Sequence, residues 1–173
     1  KGTQFHCAHG YTRIYQELLE PVRVAPVRLA EIGLVHGRTQ NEGDAAVMQS
    51  ACPSLRMWAD YLPQASIHGL DIVDFTRFAS DRIRIQQGDQ ANRAHLRLFA
   101  NSAGGPFDVI IDDGSHASHH QQISLATLFP MLADGGVYVI EDLHFQPAEL
   151  ELAGITLTRD FLSGLSMGRS GMR

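Results

Sequence analysis

Two apolar runs in this chain end abruptly in acid: Ile110-Ile111-Asp112-Asp113-Gly114-Ser115-His116 and Val137-Tyr138-Val139-Ile140-Glu141-Asp142-Leu143-His144. A short run rich in β-branched residues reads as a parallel strand buried within a sheet. In open sheets of parallel strands and helices, the ligand crevice lies beyond the carboxyl ends of the strands. Asp112, Asp113, Glu141 and Asp142 therefore converge where such folds do their chemistry. Neighbouring strands lie roughly 4.8 Å apart, so four carboxylates on adjacent tips repel one another unless a cation or raised pKa values relieve them. The pair of tips reads as a divalent-metal and general-base site, and oxygen ligands favour Mg²⁺, Mn²⁺ or Ca²⁺ over zinc. The competing reading is ordinary turn chemistry, with Asp-Gly closing a turn and Glu141 and Asp142 solvated.

The rest of the chain supplies the sheet that such tips require. Tyr11 to Leu19 has helical spacing, with Tyr11, Ile14, Tyr15, Leu18 and Leu19 on one face and Pro21 beyond its end. Val27 to Ile32 reads as a first strand. Residues 34 to 53 lose periodicity and collect Gly, Gln, Asn and Asp, the mark of a long functional or mobile loop. Ser54 is a plausible N-cap for a helix to about Leu62, where Pro63 stops it. Ser66 to Ile72 and Arg82 to Gln86 read as strands two and three, the third alternating like an edge strand. A helix from Asn92 to about Ala100, a strand from Phe107 to Asp112, a helix from about Ser118 to Leu132 and the Val137 strand complete the series. Thr158 to Leu165 reads as one more helix, and the tail from Gly164 reads as flexible. Alternating strands and helices imply right-handed crossovers and an α/β, doubly wound, mostly parallel sheet with helices on both faces.

At 173 residues, with 44% hydrophobic and 19% charged residues, the chain is expected to form a single domain with a real core. It divides into an N-terminal helical segment (1–25), a core (26–144) and a partial C-terminal segment (145–173). A net charge of -5 argues against a nucleic-acid surface. Without an apolar run of membrane length or a leader pattern, the expected location is cytoplasmic, with no membrane partner. Cys7 and Cys52 lack metal or disulfide spacing and read as reduced thiols. Lys1 is the sole lysine, which excludes Walker, Schiff-base and kinase lysines.

A second series runs along the other strand tips: Glu31-Ile32-Gly33, Asp71, and Gly88-Asp89-Gln90. A glycine after the first strand lets backbone approach a ligand, an acid ending the second accepts ribose hydroxyls, and Asp89 can bind an adenine amino group. Together they describe a nucleoside-shaped trough beside the acid cluster. His116, three residues after Asp113, lies within reach of that cluster; the alternative is a capping or packing histidine. His119 and His120 fall in the expected helix and read as surface residues.

The segments E-I-G, S-L-R-M-W, G-L-D-I, Q-G-D-Q, I-I-D-D-G-S-H, L-F-P-x-L and G-G-x-Y-V-I-E-D-L, from about Tyr11 to His144, resemble the class I S-adenosylmethionine-dependent methyltransferases. Within them they resemble the metal-dependent sugar O-methyltransferases of the mycinamicin and macrocin type. The resemblance implies a Rossmann-like fold and S-adenosylmethionine near Glu31, Gly33, Asp71, Asp89, Gln90 and Asp112. It further implies Mg²⁺ (or Mn²⁺) held by Asp113, Glu141 and Asp142, with His116 as base. It implies a small-molecule acceptor, a sugar or glycosylated natural product, and self-association. Two features depart from the family: Leu34, Val35 and His36 follow Gly33 where a glycine-rich loop is usual, and a terminal antiparallel strand pair is missing. Cephalosporin hydroxylase-like proteins share a similar scaffold, and a non-catalytic binding protein on the same fold is the other alternative. An NAD-linked oxidoreductase would need G-x-G-x-x-G after the first strand, which the chain lacks.

Overall fold

The computed structural model describes residues 11–35 and 52–168. In chain order its elements are α1 (Tyr11–Leu19), β1 (Arg28–Ile32), α2 (Pro53–Tyr61), β2 (Ser66–Asp71), β3 (Ile83–Gln87), α3 (Arg93–Ser102), β4 (Phe107–Asp112), α4 (Ser118–Leu128), β5 (Leu132–Ile140) and α5 (Thr158–Gly168). The five strands form one parallel sheet in the order β3-β2-β1-β4-β5. The order reverses between β1 and β4, so the crevice of this doubly wound sheet opens at their carboxyl ends.

Period-two alternation sorts the core into two faces. Leu29, Ile67, Val109 and Ile111 pack with Tyr15, Leu19, Leu55, Trp58 and Leu62 from α1 and α2. Ala30, Ile32, Leu70 and Ile110 pack with Leu96, Phe99 and Leu128 from α3 and α4. The same alternation decides where the tip residues go. Glu31 lies on the side of Leu29 and Ile111, under α1 and α2, whereas Asp112 follows Ile110 to the α3 and α4 side.

Several boundaries differ from the sequence expectation. Ser54 is not the cap of α2: Cys52 occupies that position in a left-handed conformation (φ 50°), Pro53 takes the first helical turn, and Ser54 is buried with its hydroxyl unpartnered. Helix α4 ends at Leu128, because Pro130 removes a backbone donor and the chain tightens into a 3₁₀ turn over Phe129–Met131. β5 then starts at Leu132, which pairs with Phe107; a register shift follows before Val137 pairs with Val109. β5 was expected to be buried but is only half-buried, since it is an edge of the sheet. β3 is the other edge, as its alternation predicts. Residues 164–168, expected to be flexible, are the last turn of α5. Most of the 34–53 loop, residues 36–51, lies outside the described residues. Among the described residues no helix is long and apolar enough to cross a membrane.

One core group makes stability depend on pH. His68 in β2 is 1% exposed, bonded to Ser66 Oγ at 2.9 Å and set edge-on to Phe107. Burial, with Arg84 and Arg28 nearby, lowers its pKa to about 4. The unfolded chain takes up the proton near pH 6.5, so the unfolded state holds more protons between about pH 6.5 and 4 and stability falls as pH falls through that window. The loss is about 3 kcal/mol at the lower end. Denaturant midpoints from pH 7.5 to 4.5 should fall more steeply in the wild type than in His68→Gln; parallel curves would exclude His68 as the cause.

Candidate active site

Backbone hydrogen bonds carry the sheet one residue past four of its five strands, which brings the tips together. Gly33 N–H donates to Leu70 O (2.9 Å), Asp113 N–H to Ile32 O (2.9 Å), Glu141 N–H to Asp112 O (2.9 Å) and Gly88 N–H to Asp71 O (2.8 Å). Gly33 sits at φ +81°, and a Cβ there would lie 2.2 Å from the carbonyl oxygen of Asp113. Only glycine allows the β1 tip to approach the β4 tip this closely.

On the β4 and β5 side, Asp113, His116 and Asp142 each offer a ligating atom within 4.8 Å of the others. His116 Nε2 lies 3.7 Å from Asp142 Oδ2. Both residues are left-handed, at φ 61° and 53°. A non-glycine residue there costs roughly 1 kcal/mol or more, strain that persists only where surrounding structure imposes it and that clusters at functional sites. Asp142 is held from the opposite side: Tyr11 hydroxyl donates to its Oδ1 (2.7 Å) and accepts from its backbone N–H (3.3 Å). Glu141 is 4% exposed and accepts from the Tyr15 hydroxyl at Oε1 (2.5 Å). Burial and the carboxylate it contacts push the Tyr11 phenol up to about 12, and the same causes raise Tyr15 further, so both phenols stay protonated and donate.

The trough side is as densely bonded. Asp71 accepts from Leu34 N–H at Oδ2 (2.8 Å) and from Val73 N–H at Oδ1 (2.9 Å), tying the end of β1 to its own turn. Burial raises its pKa against those bonds. Asp89 Oδ1 accepts from Ala91 N–H (2.8 Å), and Asp89 N–H donates to His95 Nδ1 (3.1 Å). Gln90 bridges two tips: its amide donates to Asp112 Oδ1 (2.6 Å), and its Oε1 accepts from Ser115 N–H (3.1 Å). Asp112 is fully enclosed, and burial pushes its pKa up to about 7. Glu31, also enclosed, accepts from the Trp58 indole N–H at 3.1 Å.

The ten site residues taken from the sequence thus fall into two neighbouring groups. Asp113, His116 and Asp142 bring ligating atoms together at the β4 and β5 tips; Glu141, also expected as a ligand, is not among those three and is buried against the Tyr15 hydroxyl, while Glu31, Gly33, Asp71, Asp89, Gln90 and Asp112 line or brace the tips of β1 to β4. Sequence reasoning passed over Tyr11 and Tyr15 as plain core residues of an amphipathic helix. Tyrosine rather than leucine on that stripe was the available signal, since a buried phenol seeks a partner. It also took His119 and His120 for surface residues. Both are half-buried, and His120 Nδ1 pairs with Ser115 Oγ at 2.6 Å, fixing the loop that carries His116. A cavity of about 250 Å³ opens between α1 and α2, lined by Tyr11, Tyr15, Met57, Trp58 and Tyr61 among others.

The chain is similar to several known proteins over most of its length. The chain is 41% identical over 135 residues to the 8-demethyl-8-(2-methoxy-alpha-L-rhamnosyl)-tetracenomycin-C 3'-O-methyltransferase of Streptomyces olivaceus, which covers 78% of this chain and 32% of that enzyme. It is 41% identical over 140 residues to the mycinamicin VI 2''-O-methyltransferase of Micromonospora griseorubida, covering 81% and 33%. Among solved structures it matches the MycE methyltransferase of the mycinamycin biosynthetic pathway, in complex with Mg and SAH, at a TM-score of 0.76 and 35% identity, over 94% of this chain and 40% of that one. Over about four fifths of its length the chain is similar to sugar O-methyltransferases of natural-product pathways. It spans about a third of the length of the curated relatives it matches. No family model matches it. A short-chain dehydrogenase/reductase of Serratia marcescens, 14% identical at a TM-score of 0.52, shares the fold alone.

Proposed function

We propose that the chain is the catalytic core of an S-adenosylmethionine-dependent, Mg²⁺-dependent O-methyltransferase acting on a sugar hydroxyl of a glycosylated small molecule. The observation that carries this reading is the mutual approach, within 4.8 Å, of ligating atoms from Asp113, His116 and Asp142 on two adjacent strand tips. That spacing and a mainly carboxylate donor set fit a hard divalent cation. Asp113 and Asp142 would hold the ion, with Glu141 behind them; when bound, it supplies Lewis acidity that lowers the pKa of an alcohol at the same place. His116 then takes the hydroxyl proton at Nε2, and Asp142 Oδ2, 3.7 Å away, favours the imidazolium that results. Bound S-adenosylmethionine would supply an activated methyl group, which the hydroxyl oxygen would take as the C–S bond breaks with its electron pair left on sulfur. The protein's main task is alignment, because the donor is already activated.

Asp71, Asp89 and Gln90 would bind the nucleoside end of the donor and Gly33 the part nearest the sulfonium. Glu31 and the enclosed Asp112 would act from behind, Asp112 through its bond to Gln90. The relatives' names support the acceptor class: they methylate rhamnosyl tetracenomycin or mycinamicin VI. MycE structures holding Mg and SAH support the cofactors.

Full-length protein incubated with S-adenosylmethionine and a panel of deoxysugar-bearing acceptors should yield a product one methyl heavier. EDTA should stop the reaction and Mg²⁺ or Mn²⁺ restore it, and Asp113→Asn should lower turnover about 100-fold or more. Product formation indifferent to both EDTA and Asp113→Asn would reject the cation's role.

A further inference from the structure

We infer that Tyr11 and Tyr15 of α1 are positioning residues: Tyr11 aims the Asp142 carboxylate at the divalent cation, and Tyr15 fixes the Glu141 carboxylate directly behind it; the inference rests on the site proposed above. Two phenols, four residues apart on one helix face, reach across 131 and 126 residues of sequence to two consecutive acids. Tyr11 grips Asp142 twice, donating to Oδ1 and accepting from its N–H, so both the left-handed backbone and the carboxylate plane are fixed. With Oδ1 occupied, Oδ2 is the oxygen turned towards His116. Tyr15 does the same for Glu141 by taking Oε1, and its ring is braced edge-on against Trp58 at 4.8 Å.

The chemistry of the donors matters as much as their place. A phenol satisfies one carboxylate oxygen without cancelling the negative charge, whereas an arginine at the same position would neutralise it and compete with a cation. Trp58 treats Glu31 alike, with a neutral indole N–H. The helix thus orders the acids through neutral donors, the arrangement by which partners behind metal ligands raise affinity by roughly 10- to 100-fold.

The test is Mn²⁺ binding by the full-length protein, read from the EPR signal of the free ion, together with the rise in unfolding temperature on adding Mg²⁺. Tyr11→Phe and Tyr15→Phe keep the rings and the helix packing. Each should weaken Mn²⁺ binding about tenfold or more and shrink the Mg²⁺-induced rise, while S-adenosylmethionine affinity in EDTA stays within about twofold. Tyr11 is only partly buried, so its phenylalanine variant folds even if the buried Glu141 leaves the Tyr15 variant less stable. Wild-type Mn²⁺ affinity in both variants would overturn the inference. Failure of the wild type itself to bind Mn²⁺, or binding unchanged in Asp142→Asn, would instead overturn the site reading beneath it.

Discussion

Replacing His116 with alanine is expected to reduce methyl transfer by between about 10²- and 10⁴-fold, the range for loss of a positioned base, with S-adenosylmethionine affinity nearly unchanged. His116 lies at the β4 and β5 tips, away from the trough residues Asp71, Asp89 and Gln90, so the donor's contacts survive. The left-handed backbone offers a control. His116→Gly removes the same imidazole yet adopts φ 61° without strain, so it should unfold at a slightly higher temperature, by about 1 kcal/mol in stability, while turning over no faster than the alanine variant. Turnover near the wild-type rate in either variant would show that another group takes the proton. A large loss of donor affinity would show that His116 belongs to the trough.

Gly33→Ala carries the largest structural effect. At φ +81° any side chain is strained by roughly 1–2 kcal/mol, and the new Cβ would meet backbone, Asp113 O at 2.2 Å and Gly114 Cα at 2.6 Å, rather than a side chain that can swing away. Either β1 or the Asp113–Gly114 turn must move. The combined cost is about 4 kcal/mol, large among point substitutions, and for a domain of this size it lowers the unfolding temperature by roughly 10 °C. Because the displaced turn carries Asp113, Mn²⁺ affinity should fall as well. An alanine variant with wild-type melting and metal binding would mean that the β1 and β4 tips do not approach as described.

The asymmetry between these two residues explains what could be read in advance. The glycine and the acids announce themselves locally: a strand that stops in Asp-Asp-Gly-Ser-His or Glu-Asp marks its own carboxyl end, and parallel pairing then brings such ends to one edge of the sheet. The placement of Asp113, His116, Glu141 and Asp142 at two adjoining strand tips was legible on that ground, as was the doubly wound topology. Tyr11 and Tyr15 were not, since helical periodicity reports that a side chain is buried but not what its hydroxyl reaches. His120 escaped for the same reason: five residues from Ser115, it meets the loop only because α4 folds back on it. The half-burial of β5 was hidden too, because apolar content says nothing about which strand lies at the edge.

From the sequence alone came the period-two and helical patterns that dictate strands, helices and an acidic crevice, because those depend on neighbours a few residues apart. Tertiary structure decided the rest: which face each tip residue takes, that Asp112 turns inward to Gln90 while Glu31 turns to Trp58, and that two phenols from the first helix hold the last strand's acids. Those are contacts across more than 20 to 130 residues, and they exist only once parallel pairing and the packing of helices on each face have fixed where every side chain can point.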